Sequence, residues 1–182
     1  MQNSIPRSYI PAPKGRPCRI AVFADSHAND TRFSAAIAIA ADTGTIDAAL
    51  HLGDHASDIS LLHVMQPEWP VFAVRGNNDY FDKNVADEIL LFAGDFGLLA
   101  SHGHHYSASQ RAERLAERAA SYGAKMACFG HSHVAFLEQI DGIWVLNPGS
   151  VSYPREANGP SFAIVTIAGE QCSVDIIHTD NY

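Results

Sequence analysis

Short apolar runs alternate with polar loops through the first half of the chain. Three of these runs lie at residues 20–24, 48–52 and 71–74. Between them, apolar side chains recur at helical spacing, first up to Gly44 and then over about residues 57–65. The first 75 residues therefore predict the order β-α-β-α-β, and right-handed crossovers would make the three strands parallel.

Strand patterns dominate the second half of the chain. Residues 88–92 and 96–101 flank a short turn and predict a hairpin. The helix predicted to follow has a candidate buried face made of Ala108, Ala112, Leu115, Ala116 and Ala119. After His133 the chain predicts only strands, at residues 134–140, 143–146, 161–167 and 172–177. Together these elements predict an α/β fold in which two packed sheets are flanked by helices.

The size and charge of the chain limit what it can be. Its 182 residues fit one domain, which we place at residues 18–182 after a proline-rich N-terminal tail at residues 1–17, expected to be loose or partly draped. Twelve Lys and Arg against 20 Asp and Glu give a net charge of -8, without a basic stripe. Polymeric nucleic acid is therefore not an expected partner, while a small anionic substrate is compatible with a local positive site.

The cysteines and the apolar segments indicate where in the cell the protein is expected. Cys18, Cys128 and Cys172 lack C-x-x-C spacing and lie in apolar stretches, so we expect three buried, reduced thiols in a cytoplasmic protein. The tail lacks the apolar segment of a secretory signal. No apolar run approaches the length of a membrane span, so no membrane association is expected. The sequence leaves a homo-oligomer open.

Five apolar runs end directly before residue types that bind metals. Open α/β sheets place their ligands beyond the carboxyl ends of the strands, so these ends can converge on one site. The candidate donors are Asp25, His27, Asp54, Asn77, His102, His131 and His133. Each motif alone also fits a helix cap or a turn, but four histidines in two H-x-H pairs are hard to explain in that way. For His51, His55, His63, His105 and His178 we expect structural or surface positions.

Seven donors suit two cations better than one, because a single tetrahedral zinc site takes only four ligands. Mixed imidazole and carboxylate donors favour transition metals over magnesium or calcium. We expect two divalent ions, with manganese first and iron, zinc, cobalt or nickel as alternatives. Such a centre carries surplus positive charge and attracts phosphate.

The ordered motifs D-x-H, G-D, G-N-x-D, H-G-H, G-H-x-H and N-P-G-S resemble those of the calcineurin-like metallophosphoesterases, specifically their small single-domain phosphodiesterase branch. The resemblance runs from about Arg19 to Ser150. It implies a four-layer αββα sandwich of two mixed sheets. It also implies that Asp25, His27, Asp54 and His133 hold one metal. The second metal would be held by Asp54, Asn77, His102 and His131.

One position departs from the family. There the third motif usually has a histidine that contacts phosphate and is proposed to protonate the leaving group, whereas this chain has Asn78. An amide cannot donate a titrating proton at neutral pH. His104 is our candidate replacement as proton donor. Asn78 and Arg75 are predicted to contact phosphate oxygens.

The function predicted from these motifs is hydrolysis of a small phosphodiester, with a monoester as second choice, by a hydroxide that bridges two metal ions. A non-catalytic metal-binding scaffold is the alternative. It would act through a protein partner, as the retromer subunit that resembles this family does. A third reading is a structural site with one ion and a closed coordination shell. The residues indicate neither the physiological substrate nor the native metal.

Overall fold

The computed structural model describes residues 5–11, 13–80 and 82–181. Its α-helices are α1 (Asp30–Asp42), α2 (Ile59–Met65) and α3 (Arg111–Ser121). Its strands are β1 (Arg7–Ile10), β2 (Cys18–Phe23), β3 (Ala48–His51), β4 (Val71–Ala73), β5 (Glu88–Ala93), β6 (Phe96–Ser101), β7 (Met126–Cys128), β8 (Ala135–Ile140), β9 (Ile143–Pro148), β10 (Ser161–Ala168) and β11 (Gln171–His178). Short 3-10 turns occupy Ala56–Asp58 and Thr179–Asn181.

The strands form two mixed sheets. One has five strands in the order β11-β10-β2-β3-β4, in which β2, β3 and β4 are parallel and β10 is antiparallel to β2. The other has six strands in the order β1-β5-β6-β7-β9-β8. In it β6, β7 and β9 are parallel, whereas β5 is antiparallel to β6 and β8 is antiparallel to β9. The late strands predicted after His133 are thus divided between the two sheets.

Three apolar clusters show how the layers stack. Val22, Leu50 and Leu98 belong to the cluster between the two sheets. Because side chains alternate along a strand, Phe23 points to the opposite face of its sheet and packs with residues of α1 and α2. Residues of α3 cover the outer face of the six-stranded sheet. The predicted four-layer αββα sandwich is confirmed.

The N-terminal tail differs from expectation. Residues Arg7–Ile10 form β1, which pairs in parallel with β5, and Ile10 is buried. Four residues between prolines carry no readable periodicity, so their strand conformation depends on the partner that β5 provides. Residues 1–4 and 12 of the predicted tail lie outside the described part of the chain.

Two smaller expectations also need correction. Ala108 lies in an exposed turn before α3, which begins only at Arg111, so it is not part of the buried helix face. Alanine fits both a helix and an exposed turn, and the spacing alone extended the helix too far. Cys172 is only partly buried because it lies on an edge strand, whereas Cys18 and Cys128 are buried as predicted; all three thiols are free.

The two sheets bring the carboxyl ends of their parallel strands to the same edge of the molecule. The loops after β2, β3 and β4 carry Asp25, Asp54 and Asn77, and those after β6 and β7 carry two pairs of histidines. Hydrogen bonds join the loops across the gap, as from His131 N to Asp25 Oδ2 (3.0 Å). None of the helices in the described ranges is long and apolar enough to cross a membrane.

Candidate metal centre

Four of the predicted donors form one compact cluster. One ligand atom from each of Asp25, His27, Asp54 and His133 lies within 4.8 Å of the others. His133 Nε2 is 3.2 Å from His27 Nε2 and 3.4 Å from Asp25 Oδ1. This cluster contains the four residues that the resemblance assigns to one metal.

The remaining three donors are His102, Asn77 and His131, and the last two lie close to His102. His102 Nε2 is 3.1 Å from Asn77 Oδ1 and 3.4 Å from Asp54 Oδ1. The ring of His131 lies 5.1 Å, centroid to centroid, from that of His102. All seven predicted donors are therefore gathered at one edge of the sandwich.

Asp54 lies between the two groups. Its Oδ1 faces His102, and its Oδ2 is 3.7 Å from His27 Nε2. Asn78 donates its backbone N–H to Oδ1 (2.9 Å) and its side-chain amide to Oδ2 (2.7 Å). Burial raises the pKa of Asp54, but His102 and the donors of Asn78 together outweigh burial and hold this pKa below its ordinary value. The carboxylate is ionised at neutral pH, with one oxygen turned to each group.

Hydrogen bonds fix the ring orientation of two candidate ligands. His102 Nδ1 lies 2.7 Å from the carbonyl oxygen of Leu52, and His133 Nδ1 lies 2.7 Å from that of Tyr153. A carbonyl only accepts, so each Nδ1 must carry the proton. In the neutral form of each ring, Nε2 then carries the lone pair that can bind a metal, and it lies on the side of the carboxylates.

The lowered pKa values of His27 and His131 suit metal binding, whereas the pKa of His133 is shifted the other way. Burial lowers the pKa of His27, and the nearby carboxylates only partly oppose this effect. Burial, with the charges of His102 and Arg111, lowers the pKa of His131. Both rings are neutral at pH 7, the form that binds a cation. Although burial acts to lower the pKa of His133, hydrogen bonding to Asp25 leaves this pKa raised.

The backbone is strained where the donors lie. Asp25, His27, Asp54, His131 and His133 all have positive φ, between 49° and 66°. Such conformations cost non-glycine residues about 1–3 kcal/mol each and persist only where the surroundings enforce them. Their concentration on five of the seven donors is typical of a functional site.

Two glycines allow the loops after β3 and β4 to touch. A Cβ added to Gly53, which has a φ of +92°, would lie 2.6 Å from Gly76 N. A Cβ on Gly76 would overlap the backbone nitrogen and Oδ1 of Asp54. The backbone of one loop therefore packs directly on the carboxylate of the other.

Asp79 holds these same two loops together. Its carboxylate accepts the backbone N–H groups of Asp54 (3.0 Å), Ala56 (2.8 Å) and Gly76 (2.8 Å). In the sequence, the G-N-x-D motif that contains Asp79 fits a simple turn. The carboxylate at the end of G-N-x-D was the available signal for this role.

A buried hydrogen-bond chain joins the loops after β2 and β3. Gly53 N–H donates to His51 Nδ1 (3.2 Å), so the proton of His51 is on Nε2, which donates to Ser26 Oγ (2.9 Å). Ser26 Oγ donates in turn to Asp58 Oδ2 (2.7 Å). Burial lowers the pKa of His51 to about 4, so this ring is neutral. His51 is a structural histidine, as predicted.

Replacing Ser26 by alanine is expected to lower the free energy of unfolding by about 2 kcal/mol, because the buried Nε2–H of His51 loses its acceptor. Urea denaturation of the metal-free protein measures the change. Ser34→Ala, at a partly buried position of α1 where the hydroxyl donates only to the carbonyl oxygen of Thr31, is the control and should change stability by less than about 0.5 kcal/mol. Equal effects of the two substitutions would show that the hydrogen bonds among His51, Ser26 and Asp58 do not stabilise the protein.

The predicted phosphate-binding and proton-donating residues lie beside the donors. Arg75 donates through Nε (2.9 Å) and Nη2 (2.7 Å) to Asp87 Oδ1, so its charge is compensated. The ring of His104 lies 5.3 Å from that of His102. Burial, with the neighbouring imidazoles, lowers the pKa of His104 to about 4. The roles of Arg75, Asn78 and His104 stay predictions.

His55, for which a structural or surface position is expected, lies near the cluster. It is partly buried, and its ring lies 5.8 Å from that of His27. The left-handed conformation of the loop, with a φ of 70° at His55, turns this side chain back toward the cluster. The N-P-G-S loop also contributes, since Ser150 Oγ donates to the carbonyl oxygen of Asp25 (2.9 Å).

The donor set fits divalent transition metals. It combines neutral imidazoles, carboxylates and one amide oxygen, a mixture that suits manganese, iron, cobalt, nickel or zinc. Two rings have their tautomers fixed by backbone carbonyls, as is usual for ligands of a bound metal. The arrangement is therefore a possible metal-binding site.

Comparisons with known proteins agree with this description. The family model of the calcineurin-like phosphoesterase superfamily domain matches residues 18–170. The probable metallophosphoesterase YsnB of Bacillus subtilis is 36% identical over 129 residues, which cover 71% of this chain and 73% of YsnB.

Solved structures show the same fold. A conserved protein of Streptococcus pneumoniae, described as a predicted phosphoesterase, has a TM-score of 0.71 and 27% identity, covering 90% of this chain and 91% of that one. Vps29 of Entamoeba histolytica, solved with zinc, has a TM-score of 0.63 and 18% identity, covering 88% of this chain and 99% of that one. With the match over residues 18–170, these comparisons show that the chain belongs to the calcineurin-like phosphoesterase superfamily.

Proposed function

We propose that this protein hydrolyses small phosphodiesters with two divalent metal ions. One ion would be held by Asp25, His27, Asp54 and His133, and the other by Asp54, Asn77, His102 and His131. The observation that carries this proposal is the position of Asp54. Its two oxygens face the two groups of donors, and its charge is retained at neutral pH.

When bound, two divalent ions supply a hydroxide nucleophile near neutral pH and positive charge for the phosphoryl oxygens. The protein residues hold the geometry that this chemistry needs. Fixed tautomers aim His102 and His133, and the Asp79 carboxylate holds the loop of Asp54 in place. We propose manganese as the first choice among the metals that suit these donors.

Asn78 and His104 are the proposed contacts to the substrate. Asn78 has its side-chain amide beside the centre, where one N–H donates to Asp54 Oδ2 (2.7 Å) and the second N–H is left as a donor for a phosphate oxygen. His104 is neutral at pH 7 because its pKa is lowered to about 4. It would therefore help the leaving group as an N–H hydrogen-bond donor. Arg75 is a weaker contact, because Asp87 compensates its charge.

Two cavities lined by residues next to the donors support a diester over a monoester. One cavity of about 370 Å³ is lined by Asn77 and His104, among others, and a second of about 370 Å³ by His55 and Asn78, among others. A phosphodiester has two ester arms and needs room for both, whereas a monoester has one. The two cavities offer one place for each arm.

The test is hydrolysis of chromogenic esters by protein stripped with a chelator and reloaded with one metal at a time. We expect manganese to restore hydrolysis of bis(p-nitrophenyl) phosphate, at a kcat/KM at least about 10-fold above that for p-nitrophenyl phosphate. Magnesium should restore much less. Preference for the monoester would contradict the substrate class, and no hydrolysis with any first-row metal would contradict the function.

A non-catalytic scaffold is the second candidate. The observation that favours it is Asn78, which stands where the family usually has a histidine. Against it stands the full set of seven donors, which a protein-binding surface does not need. A partner that copurifies with protein lacking metal-dependent hydrolysis would favour the scaffold.

A further inference from the structure

The cavity beside Asn77 has a lining suited to recognition. This Asn77 cavity is lined by Arg75, Gly76, Asn77, Tyr80, Asp87, His104 and His105. Its volume of about 370 Å³ lies within the range of small-molecule sites. Because Asn77 is also a proposed metal ligand, an ester bound at the centre would have one arm at the mouth of this cavity.

Planar groups dominate that lining. Tyr80 is 74% exposed, although large aromatic side chains are usually covered. The rings of His104 and His105 lie 3.8 Å apart, centroid to centroid. Two hydrogen bonds to Asp87 Oδ1 fix the guanidinium plane of Arg75. Flat aromatic ligands stack on such faces in preference to alkyl chains.

The charges in the Asn77 cavity favour an uncharged arm. The guanidinium of Arg75 lies 2.7 Å from Asp87, so the pair is close to neutral. An arm with a further phosphate would meet no uncompensated guanidinium or ammonium among the lining residues. The carboxylate of Asp87 and the amide of Asn77 remain able to hydrogen-bond with N–H and O–H groups.

The second cavity has a different character. Its lining residues are His55, Ser57, Asn78, Asp79 and Asp82, which include two carboxylates and neither Tyr nor Arg. Among the residues that the structure describes, its lining has two carboxylates, which repel anions, and one imidazole for stacking. Of the two cavities, the one at Asn77 is therefore the better place for an aromatic arm.

We propose that the Asn77 cavity is the subsite for a nucleoside arm, so that the substrate is a nucleotide-type phosphodiester whose base stacks on Tyr80. A nucleoside combines a flat aromatic base with N–H and O–H groups, which matches a lining of planar faces with Asp87 and Asn77. This inference rests on the proposed function and narrows its substrate class.

The test compares two inhibitors of equal charge. Ethyl p-nitrophenyl phosphate is the reporter substrate with the manganese-loaded protein, and thymidine 5′-monophosphate and ethyl phosphate are the competitors. Both competitors carry one phosphate, so the difference between their inhibition constants reports the arm alone. We expect the nucleotide to bind about 10-fold more tightly, since stacking of one base on an aromatic side chain has about this effect.

Variants of Tyr80 identify the contact. Tyr80→Ala should remove the 10-fold difference, by raising the inhibition constant of the nucleotide and leaving that of ethyl phosphate unchanged. Tyr80→Phe should keep the difference, because the ring is retained. Tyr9→Ala, at an exposed position on β1, is the matched control and should behave as the unchanged protein.

The outcomes separate this inference from the proposed function. Equal inhibition by both competitors, or a difference that persists in Tyr80→Ala, overturns the nucleoside subsite while hydrolysis of the reporter still supports the function. No metal-dependent hydrolysis of the reporter overturns the function, and the subsite with it.

Discussion

Replacing Asp54 by asparagine is expected to lower kcat/KM for a chromogenic diester by about a thousandfold or more. The substitution removes one ligand oxygen and one negative charge from the only carboxylate in the described site that faces both donor groups. It also introduces an NH₂ group where Asn78 already provides two donors, at 2.9 and 2.7 Å. The asparagine can accept only one of them well.

The loss should be visible in metal binding as well as in turnover. A ligand at a hundred times its Kd stabilises the folded protein by about 2.7 kcal/mol, so manganese should raise the Tm of the unchanged protein. The Tm of Asp54→Asn should respond much less. Asp95→Asn, in the exposed turn between β5 and β6, is the matched control and should keep both activity and metal response. Normal turnover of Asp54→Asn with manganese would disprove the bridging position.

The second large effect is expected from Gly76→Ala, which should lower the free energy of unfolding by about 3 kcal/mol. The added methyl group would overlap the backbone nitrogen and Oδ1 of Asp54. Neither can yield easily, because Asp79 fixes the backbone of both loops. If the protein folds, Asp54 must be displaced, and metal affinity should fall too.

Urea unfolding of the metal-free protein measures this effect. The control is Gly123→Ala, where an added Cβ meets nothing within 4 Å but the φ of +71° is retained. That variant should lose only about 1–2 kcal/mol, from the backbone conformation alone. A smaller loss for Gly76→Ala than for Gly123→Ala would show that the two loops can move apart.

The sequence predicted those parts of the fold that depend on local patterns. Buried runs such as residues 20–24 and 48–52 are readable as parallel strands, and the αββα arrangement follows from the motif resemblance. The division of the late strands between two sheets was not readable. It depends on β10 pairing with β2 and β9 pairing with β7, between residues far apart in the chain.

The candidate site shows the same limit. Its donors were found because each follows the end of an apolar run. The contacts that position them were missed, because Asp79 and Ser26 act on loops 25 and 32 residues away in sequence, at Asp54 and Asp58. The pairing of Arg75 with Asp87 was missed for this reason too. The chemistry of a side chain can be predicted from the sequence. Its hydrogen-bond partner cannot, because it depends on which loops pack together in the fold.

Strand β1 lies outside the range that the family model matches, although it is part of the folded structure. The family match begins at residue 18, yet β1 at Arg7–Ile10 covers the outer margin of β5. A protein trimmed to the matched range would leave the N–H and C=O groups along that margin unpaired. Exposed edge strands can pair with strands of other protein molecules, which promotes aggregation. A version that keeps β1 therefore has to start ahead of residue 7, outside the range that the family model matches.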